Sequence, residues 1–292
     1  PVNFIPGSSW YIKEISTRGD SITYWITDST IANNDSLKVS VSYTTTDSIN
    51  RFVTRTDTVK MKTQKIAEKA TTGRKGKTSG VKTVTHKMAL APSISGQGKQ
   101  DLNKPVVFTL DKPVLTLNPD SIEFYTIHDS VSTKQPFTCA LDPSSLRRFI
   151  ITSRWEENIQ YRLLLKPGTV HDIYRLTNDS VEIKFTTRQL EYYGRIIVTA
   201  QGTQFPVILQ VMDEKGRVAE TKNIKETGKI IFDYLAPQKY TLKAIIDRNG
   251  NGIWDTGNYL KHIQPEKTFF YTLPIQLRSN WDQEVTWIIP DL

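Results

Sequence analysis

The residues with the clearest potential for chemistry lie in one short segment, 247–258, near the end of the sequence. Its oxygen donors occupy positions 1, 3, 5, 7 and 9: the side chains of Asp247, Asn249, Asn251 and Asp255, with the backbone carbonyl of Ile253 at position 7. Calcium loops use oxygen ligands at these positions and a glycine at position 6, where Gly252 stands. The segment therefore predicts a site for a hard cation, with Ca²⁺ as the candidate cofactor.

The same segment departs from a strong calcium loop in three ways. Position 12 is Asn258, where a calcium loop has a bidentate glutamate, and only Asp247 and Asp255 among the ligands carry charge. No helical pattern follows the segment. We therefore expect calcium affinity to be weak or absent. A polar hairpin turn, in which the side chains hydrogen-bond to their own backbone, stays open as the alternative.

No catalytic arrangement can be assembled from the sequence. The histidines occur singly and in no metal-binding spacing: His86, His128, His171 and His262. A Gly-x-Ser-x-Gly nucleophile elbow does not occur. The single cysteine, Cys139, lies in an apolar strand-like segment and is expected to be an inert, buried thiol. The sequence therefore predicts a protein that is not an enzyme and has no catalytic residues.

Any site must be positioned by β-strands, because strand patterns fill the sequence from its first residues. The clearest is 37–43, in which Leu, Val, Val and Tyr alternate with polar residues as in a half-buried antiparallel strand. About four such strands occupy residues 1–60, fewer than the seven or so of a complete β-sandwich. We therefore expect 1–60 to be a partial β-sandwich whose other strands lie upstream of Pro1.

Residues 61–87 differ from the rest in composition and charge. Between residues 60 and 87 lie nine of the 38 Lys and Arg residues and one of the 30 acidic residues, so this stretch carries the whole net charge of +8. Because it is rich in Lys, Thr and Gly, it cannot bury enough apolar surface to offset the entropy of ordering. We predict a basic flexible linker or loop, with an electrostatic contact to an acidic partner as the alternative. Since interleaved aromatic residues are lacking, no nucleic-acid partner is expected.

A second module is predicted over 88–188. Short apolar strands recur there and are separated by proline-containing turns at 118–120, 142–143 and 166–168. A parallel α/β sheet is not expected, because no amphipathic helix of 10–15 residues separates the strands. Short strands at turn-separated intervals are the pattern of an antiparallel β-sandwich.

The later part of this module resembles a known family. Residues 155–179 contain a Tyr-x-Leu strand, a Pro-Gly turn and an Asp, and a Phe-x-Thr strand follows at 185–187. This order is similar to the bacterial Ig-like domains of envelope and surface-layer proteins. The resemblance covers roughly 90–188. It implies an Ig-like sandwich, extended to the partial module at 1–60, and an envelope compartment, and it brings no catalytic residues.

The third region, 189–292, resembles a different sandwich. Gly-x-Ile begins at Gly194, Pro-Val-Ile-Leu begins at Pro206, and a Phe-x-x-Leu-x-Pro-x-x-Tyr-x-Leu-x-Ala-x-x-Asp pattern runs from Phe232 to Asp247. This order looks like the transthyretin-like, or prealbumin-like, β-sandwich of carboxypeptidase regulatory modules and related envelope proteins. The predicted fold class is therefore all-β, with tandem antiparallel sandwiches and a flexible basic linker.

Together the three regions resemble multi-module Ig-like-domain-containing lipoproteins of Gram-negative envelopes. That resemblance implies a protein associated with the outer membrane, on its periplasmic or surface side, through a lipid anchor upstream of residue 1. The predicted function is a non-catalytic structural or interaction role, as an accessory subunit or scaffold with envelope proteins as partners.

Two alternatives stay open for the function. The first is recognition of peptidoglycan or another glycan through exposed aromatic residues, and the alternation rule places Trp281 and Trp287 on one strand face. Most such pairs are simply part of a core. The second alternative is an accessory module of an enzyme whose catalytic part lies upstream.

Overall fold

The computed structural model describes residue 3 and residues 9–16, 19–62, 88–94, 98–129, 131–202, 206–259 and 261–290. β-Strands make up nearly all of its regular structure, which confirms the predicted all-β fold class. Within these ranges the helical elements are one α-helical turn, α1 (Ser29–Ala32), and the 3-10 turns Pro119–Ser121 and Leu190–Tyr192.

The described residues among the first 62 form two β-hairpins. Their strands are β1 (Tyr11–Ile15), β2 (Ile22–Ile26), β3 (Ser36–Thr46) and β4 (Phe52–Lys62). β1 pairs with β2, and β3 pairs with β4, both antiparallel. Of the described residues in this region only Ile31 is buried. As far as the described residues show, the strands expected over 1–60 therefore form two ribbons without a sandwich core, because two-stranded ribbons cannot cover both of their faces.

Most of the predicted basic linker, 61–87, lies outside the described residues. Its first two residues, Met61 and Lys62, form the end of β4. Strand pairing therefore continues two residues further than the sequence indicated. The flexibility predicted for the remaining residues, 63–87, stays a prediction.

The middle of the chain folds as a β-sandwich. Its strands are β5 (Leu90–Pro92), β6 (Lys99–Gln100), β7 (Val106–Leu110), β8 (Val114–Leu117), β9 (Ile122–His128), β10 (Val131–Lys134), β11 (Thr138–Leu141), β12 (Arg148–Thr152), β13 (Gln160–Leu165), β14 (Val170–Asp172) and β15 (Val181–Thr187). One sheet has the order β10-β9-β13-β15-β6 and the other has β11-β12-β7-β5, with β8 and β14 as a separate pair.

An aromatic-rich hydrophobic core joins these two sheets. Side chains along β9 alternate between buried and half-buried, as expected where one face of a strand packs inward. The Phe124 and Tyr161 rings stack with centroids 5.3 Å apart, and the Phe108 and Phe149 rings stack at 4.9 Å. Trp155 packs edge-on against Phe124 at 5.7 Å. We call residues 88–187 the middle module.

The C-terminal part of the chain forms a second sandwich, which we call the C-terminal module. Its strands are β16 (Gly194–Gln201), β17 (Val207–Asp213), β18 (Val218–Ile224), β19 (Gly228–Leu235), β20 (Lys239–Ile246), β21 (Thr268–Phe270), β22 (Ile275–Gln276) and β23 (Asp282–Ile288). One sheet has the order β19-β16-β23, and the other has β18-β17-β20-β21 with β22 also paired to β20.

The core of the C-terminal module is mainly aliphatic and is separate from that of the middle module. Most of its strand pairs are antiparallel, as predicted. β16 and β23, however, run parallel from Arg195 opposite Asp282 to Gln201 opposite Ile288. A short parallel pair also joins β6 to β15 in the middle module. Parallel neighbours can be distant in sequence, so local patterns do not predict them.

A short connection, residues 188–193, holds the two modules together. The buried Tyr193 hydroxyl donates a hydrogen bond to Oδ1 of Asp101 at 3.2 Å and accepts one from the Leu102 N–H at 3.0 Å. Nε of Arg188 donates to the same Asp101 oxygen at 3.0 Å. The start of the C-terminal module is therefore bound directly to the loop that follows β6.

Candidate functional site

The predicted calcium segment begins a long loop between two paired strands. Asp247 directly follows β20, and the chain re-enters the sheet at β21 after residue 267. Ordinary hairpin loops need only 2–5 residues, so this connection is far longer than the pairing of β20 with β21 requires. Long loops of this kind often carry binding sites.

Asp247 is the structural centre of the loop. Its side chain is buried, with 2% of the residue exposed. Oδ1 accepts a hydrogen bond from the Asn251 N–H at 3.1 Å, and Oδ2 accepts one from the Gly252 N–H at 2.8 Å. Both carboxylate oxygens thus use the backbone of the loop to compensate for burial of the charge.

The three other predicted side-chain ligands converge above Asp247. The amide nitrogens of Asn249 and Asn251 lie 2.5 and 3.3 Å from Oδ2 of Asp255. Each asparagine also turns its oxygen to the backbone, since Asn249 accepts from the Asn251 N–H and Asn251 accepts from the Ile253 N–H. The structure therefore brings four predicted site residues into one hydrogen-bonded cluster.

Gly252 is required by the backbone of this turn. Its φ angle is +76°, in the left-handed region that side chains disfavour. A Cβ atom at this position would lie 2.5 Å from Nδ2 of Asn223. The predicted sharp turn at position 6 is therefore present, and only glycine adopts it without backbone strain and without displacing the Asn223 side chain.

Glu266 is a residue of this site that the sequence did not indicate. It is buried, with 6% exposed. Oε1 accepts a hydrogen bond from the Arg248 N–H at 2.8 Å, and Oε2 accepts one from the Asp255 N–H at 3.1 Å. The backbone carbonyl of Glu266 accepts from Nε1 of Trp254 at 3.1 Å. Glu266 thus fixes both ends of the ligand cluster from the far side of the loop.

The chemistry open to this cluster is cation binding with few charged ligands. Within the described residues no group of three or more His, Cys, Asp and Glu side chains is placed to hold a metal. The candidate ligands are instead two carboxylates, two amides and the Ile253 carbonyl. A 180° rotation of each asparagine amide would exchange its nitrogen for an oxygen, which is the ligand that a hard cation needs.

The remaining titratable candidates serve local structure. Oδ1 of the buried Asp172 accepts hydrogen bonds from the Tyr174 and Leu176 N–H groups, and Lys112 Nζ lies 3.7 Å from its Oδ2. The adjacent His171 contacts the Thr116 hydroxyl at 3.3 Å. This pair therefore closes a turn and is not oriented as a base and its partner.

Cys139 and the other histidines are dispersed. Cys139 lies on β11 against the core of the middle module, where burial raises the pKa of its thiol to about 11. A thiol with a raised pKa is a poor nucleophile at neutral pH. His128 ends β9, and His262 lies in the loop before β21. His86 lies outside the described residues.

The predicted tryptophan pair is divided. Trp287 is on β23 and is 6% exposed, within the core. Trp281 is 55% exposed and precedes β23, which begins at Asp282. The two side chains therefore differ in environment: alternation is defined only within a strand, and a residue with φ of +52°, Asn280, turns the chain just before Trp281.

Comparisons with known proteins identify no family for this chain. No family model matches it, and no curated protein matches it. Within the described ranges no helix is both long and apolar enough to cross a membrane.

Several solved bacterial proteins show a limited structural likeness. The N-terminal part of the bacterial S-layer protein SbsC matches with a TM-score of 0.29 and 11% identity, over 50% of this chain and 38% of that one. The TIE protein of Bacillus anthracis matches at 0.23 and 8%, over 71% and 41%. The minor pilin of Streptococcus agalactiae matches at 0.23 and 12%, over 63% and 87%.

This chain thus spans about two fifths of the length of the first two structures. The TM-scores are too low to establish a shared fold. The fold described above rests on the strand pairing and the two cores of this chain alone.

Proposed function

We propose that this protein is a non-catalytic structural and interaction component of a cell envelope, acting as a scaffold or accessory subunit. The observation that carries the proposal is the hydrogen-bonded junction between two sandwiches that each have a core. Because Asp101 accepts hydrogen bonds from both Arg188 and Tyr193, the junction opposes rotation of one module against the other. A fixed angle between two rigid modules is useful to a spacer or scaffold.

The use of the charged side chains supports a non-catalytic role. Asp172 and Asp247 each stabilise a turn through backbone N–H groups, and Glu266 does the same across the long loop. Carboxylates occupied in this way are positioned to hold backbone, whereas a general base must reach a bound substrate.

The finer assignments follow the sequence resemblances. We propose an Ig-like identity for the middle module and a transthyretin-like identity for the C-terminal module, within a lipoprotein associated with the outer membrane. The partners proposed are envelope proteins, and contact with the membrane would come only through a lipid anchor upstream of residue 1.

Affinity purification from a mild-detergent envelope extract tests the proposal. The full chain should be found in the envelope fraction and should recover a partner protein in fixed stoichiometry. The double variant Asp101→Asn, Tyr193→Phe should recover less of that partner, because the angle between the modules is released. Tyr174→Phe, at an exposed tyrosine away from the junction, is the matched control. Fractionation into the cytoplasm, or purification without any stoichiometric partner, would contradict the proposal.

Calcium binding by the long loop is a second proposed property, supported by the convergence of Asn249, Asn251 and Asp255. Two charged ligands correspond to the weak end of calcium sites, with Kd of about 10⁻⁴–10⁻³ M. Binding of that strength stabilises the folded chain by about 1.4–2.7 kcal/mol at about 10 mM calcium. The melting temperature of the C-terminal module should therefore rise with calcium and fall again with a chelator.

Two carboxylate variants make the calcium test specific. Asp255→Asn keeps the shape of the side chain and removes its charge, so the calcium-dependent rise should disappear. Asp213→Asn is the matched control, because Asp213 also closes a turn by accepting hydrogen bonds from the Lys215 and Arg217 N–H groups. An equal rise in both variants, or no rise in the unaltered protein, would leave the polar hairpin turn as the correct interpretation.

A further inference from the structure

A shallow groove of about 380 Å³ lies beside the junction, on the C-terminal module. Two aromatic side chains line it while remaining accessible: Trp281 is 55% exposed and Tyr234 is 39% exposed. Asp233, Asn280 and the Arg195–Asp282 ion pair supply its polar lining. The groove is distinct from the calcium loop, whose residues do not line it.

Tyr234 reaches this groove through an irregularity in the sheet. The register of β16 against β19 shifts so that Arg195 lies opposite two residues, Asp233 and Tyr234. This is a β-bulge, which redirects a side chain away from its regular alternation. Tyr234 has φ of +53°, a left-handed conformation that is unfavourable for a bulky residue.

The identity of the residue at position 234 is therefore informative. Glycine or asparagine would adopt this backbone conformation at lower conformational cost. The Tyr234 ring makes an edge contact with Tyr193, with centroids 5.4 Å apart, but it remains partly exposed and lines the groove. Strained residues of this kind are concentrated at ligand sites.

The opposite wall combines a left-handed turn residue with an exposed aromatic side chain. Asn280 has φ of +52°, and its N–H donates to the Tyr193 carbonyl at 2.8 Å. The Trp281 carbonyl accepts from the Arg195 N–H at 2.9 Å. These hydrogen bonds fix the backbone of the turn, and this backbone carries the exposed Trp281 ring.

The charges of the lining indicate the class of ligand. The Arg195 guanidinium is held by both oxygens of Asp282, at 2.7 and 2.5 Å. Because the Arg195–Asp282 pair is neutral overall, the Asp233 carboxylate gives the groove a net charge of −1. This charge disfavours anionic ligands. The lining is rich in hydrogen-bond acceptors and its one cationic donor is already paired.

A neutral glycan matches this arrangement. Pyranose rings present an apolar face of C–H groups to an aromatic ring, and their hydroxyls both donate and accept hydrogen bonds. A proline-rich peptide would also stack on aromatic rings, but it offers mainly backbone carbonyl acceptors, which the acceptor-rich lining does not complement. We propose that this groove binds a neutral glycan, with Tyr234 and Trp281 as its stacking residues.

This inference rests on the interaction role proposed above and gives that role a ligand class. The test uses the full-length protein on an array of immobilised neutral hexose and N-acetylhexosamine oligosaccharides, followed by titration of the best ligand in solution. Tyr234→Gly and Trp281→Ala should each lower the affinity at least about tenfold. Tyr259→Ala, at an exposed aromatic residue outside the groove, should leave the affinity unchanged.

The melting temperature separates a binding role from a structural one. Tyr234→Gly relieves the left-handed strain, so the melting temperature should stay the same or rise while binding is lost. A lower melting temperature with intact binding would make Tyr234 a packing residue and overturn the proposal. Binding of proline-rich peptides alone, or of no glycan, would overturn it too. The recovery of an envelope protein is measured in a separate experiment. Failure of the glycan proposal would therefore not contradict the proposed scaffold role.

Discussion

The middle and C-terminal modules place their aromatic side chains differently. In the middle module Phe108, Phe124, Phe149, Tyr161 and Phe185 are all 2% exposed or less. The C-terminal module has a mainly aliphatic core and leaves other aromatic residues at its surface: Tyr234, Trp254, Tyr259 and Trp281. Aromatic residues contribute large apolar areas wherever they are buried. The C-terminal module exposes more of its aromatic side chains than the middle module does, which indicates different roles for the two modules.

The loops of the two modules also differ, since the C-terminal module has the longer one. In the middle module Asp172 closes a tight turn by binding the Tyr174 and Leu176 N–H groups. The C-terminal module instead has a long loop that Asp247 and Glu266 hold in place. We infer that the middle module is chiefly a rigid spacer and that the candidate sites lie in the C-terminal module.

The largest expected loss of stability comes from removing an aromatic side chain from the core of the middle module. Phe124→Ala leaves a cavity among Tyr161, Trp155 and Phe137 and should destabilise this module by about 3–5 kcal/mol. Trp281→Ala, which removes an exposed aromatic of the C-terminal module, should change stability by no more than about 0.5 kcal/mol. Chemical denaturation of both variants measures the difference.

A core variant in the other module completes this comparison. Leu209→Ala truncates a fully buried residue of the C-terminal core and should cost about 2–5 kcal/mol. If the two cores unfold separately, Phe124→Ala and Leu209→Ala will shift different transitions. A single transition that both variants shift equally would mean that the junction makes the modules one cooperative unit.

Local patterns in the sequence predict the strands and the turn of the calcium segment well. The alternation along 37–43 predicts a strand, and the glycine at position 252 predicts a turn, from adjacent residues alone. Glu266 was not predicted, since it reaches the segment only because β20 and β21 pair and return the chain to the loop. Glu266 can be assigned to the site only from the residues that it contacts in the folded chain.

The aromatic groove shows the same limit more clearly. Even spacing placed Trp281 and Trp287 on one face, but the strand begins after Trp281. The bulge that redirects Tyr234 depends on how β19 pairs with β16, whose sequence partners are about 35 residues away. The parallel pairing of β16 with β23 spans still more of the chain. Non-local pairing of this kind leaves no signal in short windows of sequence.

An intermediate effect is expected from Glu266→Gln in the C-terminal module. The amide can replace only one of the two carboxylate acceptors, so either the Arg248 or the Asp255 N–H loses its buried partner. The cost should be about 1–3 kcal/mol, confined to the transition of the C-terminal module. Glu214→Gln, at an exposed position, is the control and should be close to neutral. Equal effects of the two substitutions would show that Glu266 does not hold the loop.

The smallest expected effect is a loss of stability at alkaline pH. It allows a buried tyrosine of the middle module to be compared with one at the junction. Burial raises the pKa of Tyr161 in the middle module and of Tyr193 at the junction, and Asp101 raises the pKa of Tyr193 further. A raised pKa in the folded state means that the unfolded chain loses these protons first. Their contribution to stability is therefore complete below about pH 10 and is lost as the pH rises above that value.

The loss should be steeper at the junction, because Tyr193 has the larger shift of pKa. Tyr193→Phe should therefore flatten the decline in stability above pH 10 more than Tyr161→Phe does. Thermal melts at a series of pH values, with each variant compared with the unaltered protein, measure both slopes. Tyr161→Phe also removes the hydrogen bond from the Glu156 N–H, and Tyr193→Phe removes those with Asp101 and Leu102, so the costs of both substitutions at neutral pH must be subtracted first. A decline that neither variant alters would assign the alkaline sensitivity to other groups, such as Tyr240 in the core of the C-terminal module, whose pKa is also raised by burial.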